Sequence, residues 1–483
     1  MKAIDLVSLV DGAIGSGVEG LITRVHRRRL SRAGWKRAYD PTGDDLWAAG
    51  DPGPQPGNAV DILVDGVEAF AAMLEAIRGA RASINITGWH ANPSFALDKA
   101  DPPTQLLRVL TEAARHVEVR MLLWAGAPAP IFRPSRVDMR RILQEFSDGS
   151  GIRCALDARE RPMHCHHDKT MVVDDGVAFV GGIDVTDFGG DRLDSNDHPA
   201  RDGIGWHDAA ARLTGPAVQD VGAHFRLRWH ATTGESLPPA PVPPTAGDVD
   251  VQVIRTVPDG MYKDLRRGDF RVLESYMRAL RSAKRFIYLE NQFLWSPEIV
   301  AVLREKLDWP PSSEFRLVIL LPAKANSGAD DTRGQLGTLV KADGGTGRLL
   351  ACTLVTPNGG QGNPVYVHAK IGIVDDRWLT LGSANLNEHS HFNDTEVNIV
   401  TLDAGLARDT RERLWAEHLE VPREQVSGDP TAVIDKLWRP TATEQLARAK
   451  RGEGPTHRLT LLPGISKHSG LLLGPLQGLT VDA

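Results

Sequence analysis

The chain has three cysteines among 483 residues, Cys154, Cys165 and Cys352. Scattered and odd in number, they build neither a disulfide framework nor a Cys-x-x-Cys metal pair, and they read as free thiols in a reducing cytoplasm. No stretch approaches the roughly 20 apolar residues that a bilayer crossing needs. The apolar N-terminal stretch contains Asp5 and Asp11 and has no clear cleavage site, which argues against a secretory signal. Basic excess is missing too. A net charge of −6 argues against a protein whose main partner is duplex nucleic acid, although a local basic cleft stays compatible with it.

What is present describes a globular chain. Apolar residues make up 41% and charged residues 24%, too balanced for a disordered or membrane-spanning protein, and the length suits two or three domains. Proline marks the boundaries. Residues 50–58 are rich in breakers, and Leu237-Pro-Pro-Ala-Pro-Val-Pro-Pro-Thr245 is a stiff spacer near the middle. The expected organisation is an N-terminal helical extension (1–50), a first lobe (51–236), a linker (237–248), a second lobe (249–425) and a tail (426–483). In the extension, Leu6, Val10, Ile14, Val18, Leu21 and Val25 recur at helical spacing, and Arg24, Arg27, Arg28, Arg29 and Arg32 follow. Such a helix either packs on the body or lies at a membrane surface with a basic collar; packing is the simpler reading. The expected location is the cytoplasm, with a peripheral position at the membrane left open.

The two sides of the spacer look alike. Phe70–Ile77 reads as an amphipathic helix, followed by strand-like Ser83–Trp89 and Val117–Trp124. Across the spacer, Val272–Leu280 leads to Phe286–Gln292 and Phe315–Leu321. Apolar strands alternating with helices indicate an α/β fold with buried, largely parallel sheets. Each side then carries the same motif. His167-Asp-Lys-Thr-Met-Val-Val-Asp174 is matched 201 positions later by His368-Ala-Lys-Ile-Gly-Ile-Val-Asp375, and the same register carries Gly181 onto Gly382 and Gly182 onto Ser383. A register shared by the motifs and their flanks indicates a duplication.

In each copy the His and Lys stand two apart where an apolar strand begins, so alternation points both side chains one way. If the lobes meet about a pseudo-twofold axis, two imidazoles and two ammonium groups converge, and an anionic phosphodiester balances their charge. One neutral imidazole can attack phosphorus while the other, protonated, serves the leaving oxygen; the lysines hold non-bridging oxygens. A lone His-x-Lys pair carries no such weight, since single pairs are mostly structural. Two copies in register do.

These paired His-x-Lys-x4-Asp motifs resemble the phospholipase D superfamily. Gly181-Gly-Ile-Asp-Val185, Arg192-Leu-Asp194, Trp206-His-Asp208 and Arg212-Leu-Thr-Gly-Pro216 are similar to the first half of its phospholipase D-like branch, and Tyr288-Leu-Glu-Asn-Gln-Phe293 and Gly382-Ser-Ala-Asn-Leu-Asn387 to the second. The resemblance covers roughly residues 60–420. It implies two similar α/β sandwich lobes with one active site at their interface, and a monomeric catalytic unit. It also implies hydrolysis or headgroup exchange on phospholipid at a membrane surface through a phosphohistidine, with no cofactor, metal or nucleic-acid partner. By the same likeness His167 is the nucleophile and His368 the general acid, an order that pseudosymmetry alone leaves open. Lys169, Lys370 and Asn385 hold the phosphoryl group, Asp208 and Glu396 orient the imidazoles, and Asp174 and Asp375 are structural. Asp184 stands where the second half has Asn385, so it either pairs with a cation or turns away. The branch often carries a calcium- or phosphoinositide-binding module ahead of the lobes; with fifty residues there, dependence on either ligand is not expected.

Other features have blander readings. His164, His166 and His167 alternate in a way that does not complete a zinc tetrahedron. Trp89, Trp206, Trp295 and Tyr366 either line a pocket for a quaternary ammonium headgroup or pack. Asp330–Arg333 and Asp343–Arg348 fall in a loop-rich region that forms a mouth over the site or a solvated loop. The apolar tail, Leu459–Pro463 and Leu471–Pro475, packs across the lobes or touches lipid, packing being the safer expectation. The expected reaction is hydrolysis of a glycerophospholipid to phosphatidate and a headgroup alcohol, with transphosphatidylation as a second activity. A cardiolipin synthase-like transferase and a nuclease are the alternatives.

Overall fold

Strands and helices alternate through two successive sets in the computed structural model, which describes residues 17, 20–128, 132–161, 164–324, 329–357, 360 and 362–464. The first set contains β1 (Gln55–Val64), β2 (Ser83–Gly88), β3 (Glu118–Trp124), β4 (Arg153–Asp157), β5 (Thr170–Val173), β6 (Val177–Gly181), β7 (Gly205–His207) and β8 (Ala209–Thr214). The second contains β9 (Val249–Val257), β10 (Asp269–Phe270), β11 (Phe286–Glu290), β12 (Arg316–Leu320), β13 (Leu349–Thr356), β14 (Asn363–Val367), β15 (Ile371–Val374), β16 (Trp378–Gly382), β17 (Glu396–Thr401) and β18 (Leu459–Leu461).

Pairing gives both sets one plan. The first sheet runs β1-β8-β6-β5-β2-β3-β4, and only β2-β3 and β3-β4 are parallel. The second runs β9-β17-β16-β15-β11-β12-β13, with β11-β12 and β12-β13 parallel. The sheets are therefore mixed, and the parallel strands lie toward one end of each. Among the antiparallel pairs, β5-β6 and β15-β16 are hairpins closed by a short turn and β2-β5 and β11-β15 join strands distant in sequence, whereas the parallel pairs need a helical crossover.

Burial assigns the faces. Val172, Val180 and Ala211 of the first sheet share one core with Val253, Ile373 and Leu381 of the second, so the inner faces close on each other. Alternation sends Met171 and Val173 to the opposite side, where they pack against helices Asp65–Gly79 and Leu106–Ala113. The outer face of the second sheet is covered by helices Arg271–Ser282 and Pro297–Asp308, with Leu30 from the N-terminal helix (residues 20–33) joining the same core. The α/β class and the two similar lobes are thus present.

Three local readings change. The helix Ala329–Asp343 occupies most of the region read as loop, because Leu336 and Leu339 bury against the second core and override its glycines. Strand β1 begins at Gln55, inside the breaker-rich lead-in. The strands after the motifs begin at Thr170 and Ile371, just past each lysine, so the His-x-Lys segments are approaches to strands rather than parts of them. The proline-rich spacer has no regular structure and follows helix Val218–Thr233, where Arg226 donates to the Pro238 carbonyl and Gln219 to that of Ala240. In the tail, β18 pairs with β13. The remaining tail stretch, 471–475, and the helical spacing over 6–16 lie outside the described residues. Among the described residues, no helix is long and apolar enough to cross a membrane.

Candidate active site

The backbone of each motif is held by the opposite lobe. His166 bridges to Thr395 in parallel register, and the His167 N–H donates to the Thr395 carbonyl at 3.0 Å. In the second copy, β14 runs parallel to β7, pairing Tyr366 with Trp206 and Val367 with His207, and the His368 N–H donates to the His207 carbonyl at 2.7 Å. The residues after those carbonyls are Glu396 and Asp208. Crossing backbone therefore delivers each carboxylate to the histidine of the other half. His167 Nδ1 lies 3.0 Å from Glu396 Oε1, and His368 Nδ1 lies 2.7 Å from Asp208 Oδ2.

The lysines follow the same rule. Lys169 Nζ donates to the His167 carbonyl at 2.8 Å, and Lys370 Nζ donates to the His368 carbonyl. Beyond that the halves differ. Lys169 is paired with Asp184 Oδ2 at 3.1 Å, so the first-half carboxylate has a cation, and its other oxygen accepts the Trp89 N–H at 3.0 Å. Lys370 finds only an amide, Gln292 Oε1 at 3.3 Å. Asn385, in the place corresponding to Asp184, is fully buried, and neither its Nδ2 nor its Oδ1 makes a hydrogen bond within the protein. A buried amide in that state costs about 1–3 kcal/mol and is poised for a polar ligand. All seven sequence-derived site residues lie at this junction, none more than 6% exposed.

The motif aspartates work elsewhere. Asp174 accepts the backbone N–H groups of Arg81, Ala82 and Ser83 at 2.7–2.8 Å, and Asp375 those of Lys284, Arg285 and Phe286 at 2.6–2.9 Å. They fasten the start of β2 and of β11, the strands beside the motif strands.

Burial acts unequally on the two carboxylates. It pushes the Glu396 carboxyl well above the usual range, offset only in part by hydrogen bonds from Ser383 and Ser390. Asp208 is also buried, yet His368 and Lys370 face it and hold its carboxyl below the usual range. Burial, together with the charge of Lys370, holds the His368 imidazole well below its ordinary value. Burial likewise brings the Lys370 ammonium down to about 7, against the pull of Asp208 and with the repulsion of Lys169. Lys169 of the first half thus lies close enough to act on Lys370 of the second. Negative charge brought into this space would raise both values and favour the protonated forms of Lys370 and His368.

Several residues at the site were not singled out from sequence. Ser383 donates to Glu396, whereas its register partner Gly182 leaves room for Asp208: a Cβ there would stand 2.2 Å from Asp208 Oδ1. That difference was readable in the shared register. Ser390 and Gln292 carried no comparable signal. Trp206 stacks on Tyr366 with ring centres 4.7 Å apart and lies 5.0 Å from the His368 ring, while Trp89 packs on Trp124 and Trp295 on Phe293. Of the four aromatic candidates, Trp206 and Tyr366 are the ones against a catalytic-type histidine. The neighbouring histidines diverge: His164 meets His389, His166 meets Thr395 and Asp157, and His167 meets Glu396.

The chain is similar in sequence to several known proteins. The family model described as "Cardiolipin synthase, PLD-like domain" matches residues 276–417. Phospholipase D A of Dictyostelium discoideum is 25% identical over an alignment covering 77% of this chain and 37% of its own length. The major cardiolipin synthase ClsA of Bacillus subtilis is 25% identical, covering 73% of this chain and 67% of its own. The chain thus spans little more than a third of the first relative and about two thirds of the second. A solved phosphatidylserine synthase of Haemophilus influenzae is 13% identical, with a TM-score of 0.49 over 75% of this chain and 87% of its own.

Proposed function

The chain belongs to the phospholipase D superfamily, and from that premise we propose that it cleaves a glycerophospholipid to phosphatidate and a headgroup alcohol. The observation that carries this reading is the pair of His-Lys sets, each histidine held at Nδ1 by a carboxylate of the other lobe, around the buried amide of Asn385.

With its Nδ1 proton directed at Glu396, His167 presents the Nε2 lone pair to phosphorus. A P–N bond forms while the P–O bond to the headgroup breaks, and His368 gives its proton to the departing oxygen. Lys169, Lys370 and Asn385 hold the non-bridging oxygens as charge builds on them, the task for which preorganised donors in a dry site are most effective. His368, now neutral, takes a proton from water or from an alcohol. That oxygen attacks phosphorus, the P–N bond breaks, and His167 is restored. Water gives phosphatidate; a primary alcohol gives a phosphatidylalcohol through the same intermediate.

A second reading has its own support. The matching family model and the Bacillus subtilis relative both carry the name cardiolipin synthase, which favours a phosphatidyltransferase whose accepting alcohol is itself a lipid. One assay separates the readings. The protein is incubated with mixed phospholipids and a primary alcohol in buffer without added metal. Phosphatidate and phosphatidylalcohol support the hydrolase. Product confined to a lipid acceptor selects the transferase. Inactivity on lipid with cleavage of a nucleotide diester rejects both.

A further inference from the structure

Beneath Asp208, a second polar cluster joins segments from both lobes. Asp65, at the start of helix Asp65–Gly79, accepts the Asp208 N–H at 3.0 Å through Oδ1. Its other oxygen, Oδ2, lies 3.3 Å from His198 Nε2, and His198 Nε2 lies 3.3 Å from Glu417 Oε1 on helix Ala404–Leu419. His207 Nδ1 is 3.7 Å from the same Glu417 oxygen. Asp65 and His198 have fully buried side chains and that of Glu417 is 7% exposed, yet Asp65 Oδ2, His198 Nε2 and both Glu417 oxygens make no hydrogen bond. They stand at ion-pair distance without an aligned hydrogen bond, an arrangement that a ligand binding all of them would satisfy better.

The spacing identifies what fits. The four ligand atoms of Asp65, His198, His207 and Glu417 all lie within 4.8 Å of one another. A tetrahedral ion with bonds of about 2.0–2.2 Å to nitrogen and oxygen separates its ligands by about 3.3–3.6 Å, close to the 3.3 Å and 3.7 Å edges found here. Each imidazole is also oriented as metal ligands are, by a carboxylate on its far nitrogen. His198 Nδ1 meets Asp194 Oδ2 at 3.0 Å, and His207 Nε2 meets Glu290 Oε2 at 2.8 Å. Charge agrees. The carboxylates Asp65, Asp194, Glu290 and Glu417 face two guanidinium groups, Arg201 on Asp194 and Arg458 at 3.9 Å from Glu417, and the imidazoles of His198, His207 and His418, whose charge would be lost from His198 and His207 on binding a metal. One divalent cation offsets the excess.

Sequence length tells the same story. Asp208 follows His167 by 41 positions, but Glu396 follows His368 by only 28. The extra first-half segment supplies both His198 and Asp194. It has no counterpart in the second half.

We propose that Asp65, His198, His207 and Glu417 form a structural site for one divalent cation of the zinc class, clasping the first lobe to helix Ala404–Leu419 and steadying the segment that presents Asp208. The mixed imidazole and carboxylate donors suit zinc better than calcium or magnesium, which prefer oxygen alone. His207 gives up its hydrogen bond to Asp65 Oδ1 to complete the set. This inference does not depend on which phosphodiester the active site takes.

The test is metal content. The full chain, purified without chelator, is expected to hold one zinc per molecule, and the cobalt-loaded chain to show the visible absorption of a four-coordinate ion. His198→Ala and Glu417→Gln, checked for folding by circular dichroism, should lose at least tenfold in bound zinc, while His164→Ala keeps it. If either variant fails to fold, the cobalt spectrum and a zinc titration of the native chain decide alone. A folded native chain that holds no zinc and gives no saturable titration overturns the proposal. So does full zinc content in folded Glu417→Gln, or its loss in His164→Ala, which would move the ion to the separate cluster of His164, His389 and Asp394.

Discussion

The two halves of the active site share a backbone and differ in electrostatics. In both, a His-x-Lys approach leads into an apolar strand, the histidine N–H is bound by a carbonyl of the other lobe, and the next residue there is a carboxylate for Nδ1. Around His167 the carboxylate is Glu396, fed by two serine hydroxyls and pushed up by burial, and Lys169 has Asp184 as a counter-ion. Around His368 the carboxylate is Asp208, held ionised beside Gly182, and Lys370 has an amide in place of a carboxylate. Symmetry of backbone sets where the groups stand. In the proposed mechanism the asymmetry among their neighbours divides the labour: a carboxyl whose ionisation burial disfavours stands behind the nucleophile, and an anionic carboxylate stands behind the histidine that must carry a proton.

The largest expected effect breaks the pair at its centre. His167→Ala should lower turnover on the order of 10^6-fold, the scale for loss of a catalytic nucleophile, with the fold intact by circular dichroism. His368→Ala should cost about 10^2–10^4-fold on a natural lipid, the range for a general acid. On a p-nitrophenyl phosphodiester, whose leaving group needs no proton, most of the His368→Ala loss should be recovered and none of the His167→Ala loss. Equal behaviour of the two variants on both substrates would erase the proposed division.

The carboxylates sharpen it next. Asp208→Asn should cost up to about 10^4-fold in kcat, the scale found where an ionised carboxylate fixes a catalytic imidazole. Glu396→Gln replaces a carboxyl whose ionisation burial already disfavours, so its loss should be smaller than that of Asp208→Asn, within about tenfold. The comparison is read from kcat at saturating lipid, and a larger loss for Glu396→Gln would reverse the assignment.

Lys370 gives the pH dependence. Its ammonium is brought to about 7 in the free site, so it is charged below that value and loses its proton above it. Because the charged form is the one that holds a phosphoryl oxygen, kcat/KM should fall on the alkaline side of about pH 7 with the slope of a single proton. Lys370→Arg keeps the charge and should shift that limb to higher pH, whatever it does to the maximum. An unchanged limb would assign it to another group.

Much of this site was legible in the chain, and the reason is local. Two motifs in one register marked His167, Lys169, His368 and Lys370, because the duplication preserved their spacing, while Asn385, Asp208 and Glu396 came from the family resemblance. The register fails beyond the motifs, where the segment carrying Asp194 and His198 has no second-half counterpart, so the exchange of Asp208 and Glu396 between halves depends on backbone pairing across roughly 160 to 230 positions. No periodicity records a contact of that kind. Gln292 stands inside the Tyr288–Phe293 motif without a role read for it, and Ser390 is missing from the sequence reading, for the same reason. The helix Ala329–Asp343 was read as loop because Gly334 and Gly337 lower its propensity, while the burial of Leu336 and Leu339 that overrides them belongs to the fold. The opposite case is Asp184, whose repulsion of phosphate was anticipated as a choice between pairing and turning away; it pairs with Lys169.

The smallest effect isolates one difference between the halves. Ser383→Ala removes a hydrogen bond to Glu396 and should lower unfolding stability by about 1 kcal/mol, measured by denaturant titration. The reciprocal change, Gly182→Ser, crowds Asp208 and should cost more in activity than in stability.

Which histidine carries the substrate is most directly read by trapping. His368→Ala is mixed with a p-nitrophenyl phosphodiester, quenched in base, and its peptides are analysed by mass spectrometry. The account predicts a phosphoryl adduct on the peptide containing His167. An adduct on a peptide containing neither His167 nor the altered position, or no adduct during continuing turnover, would contradict it.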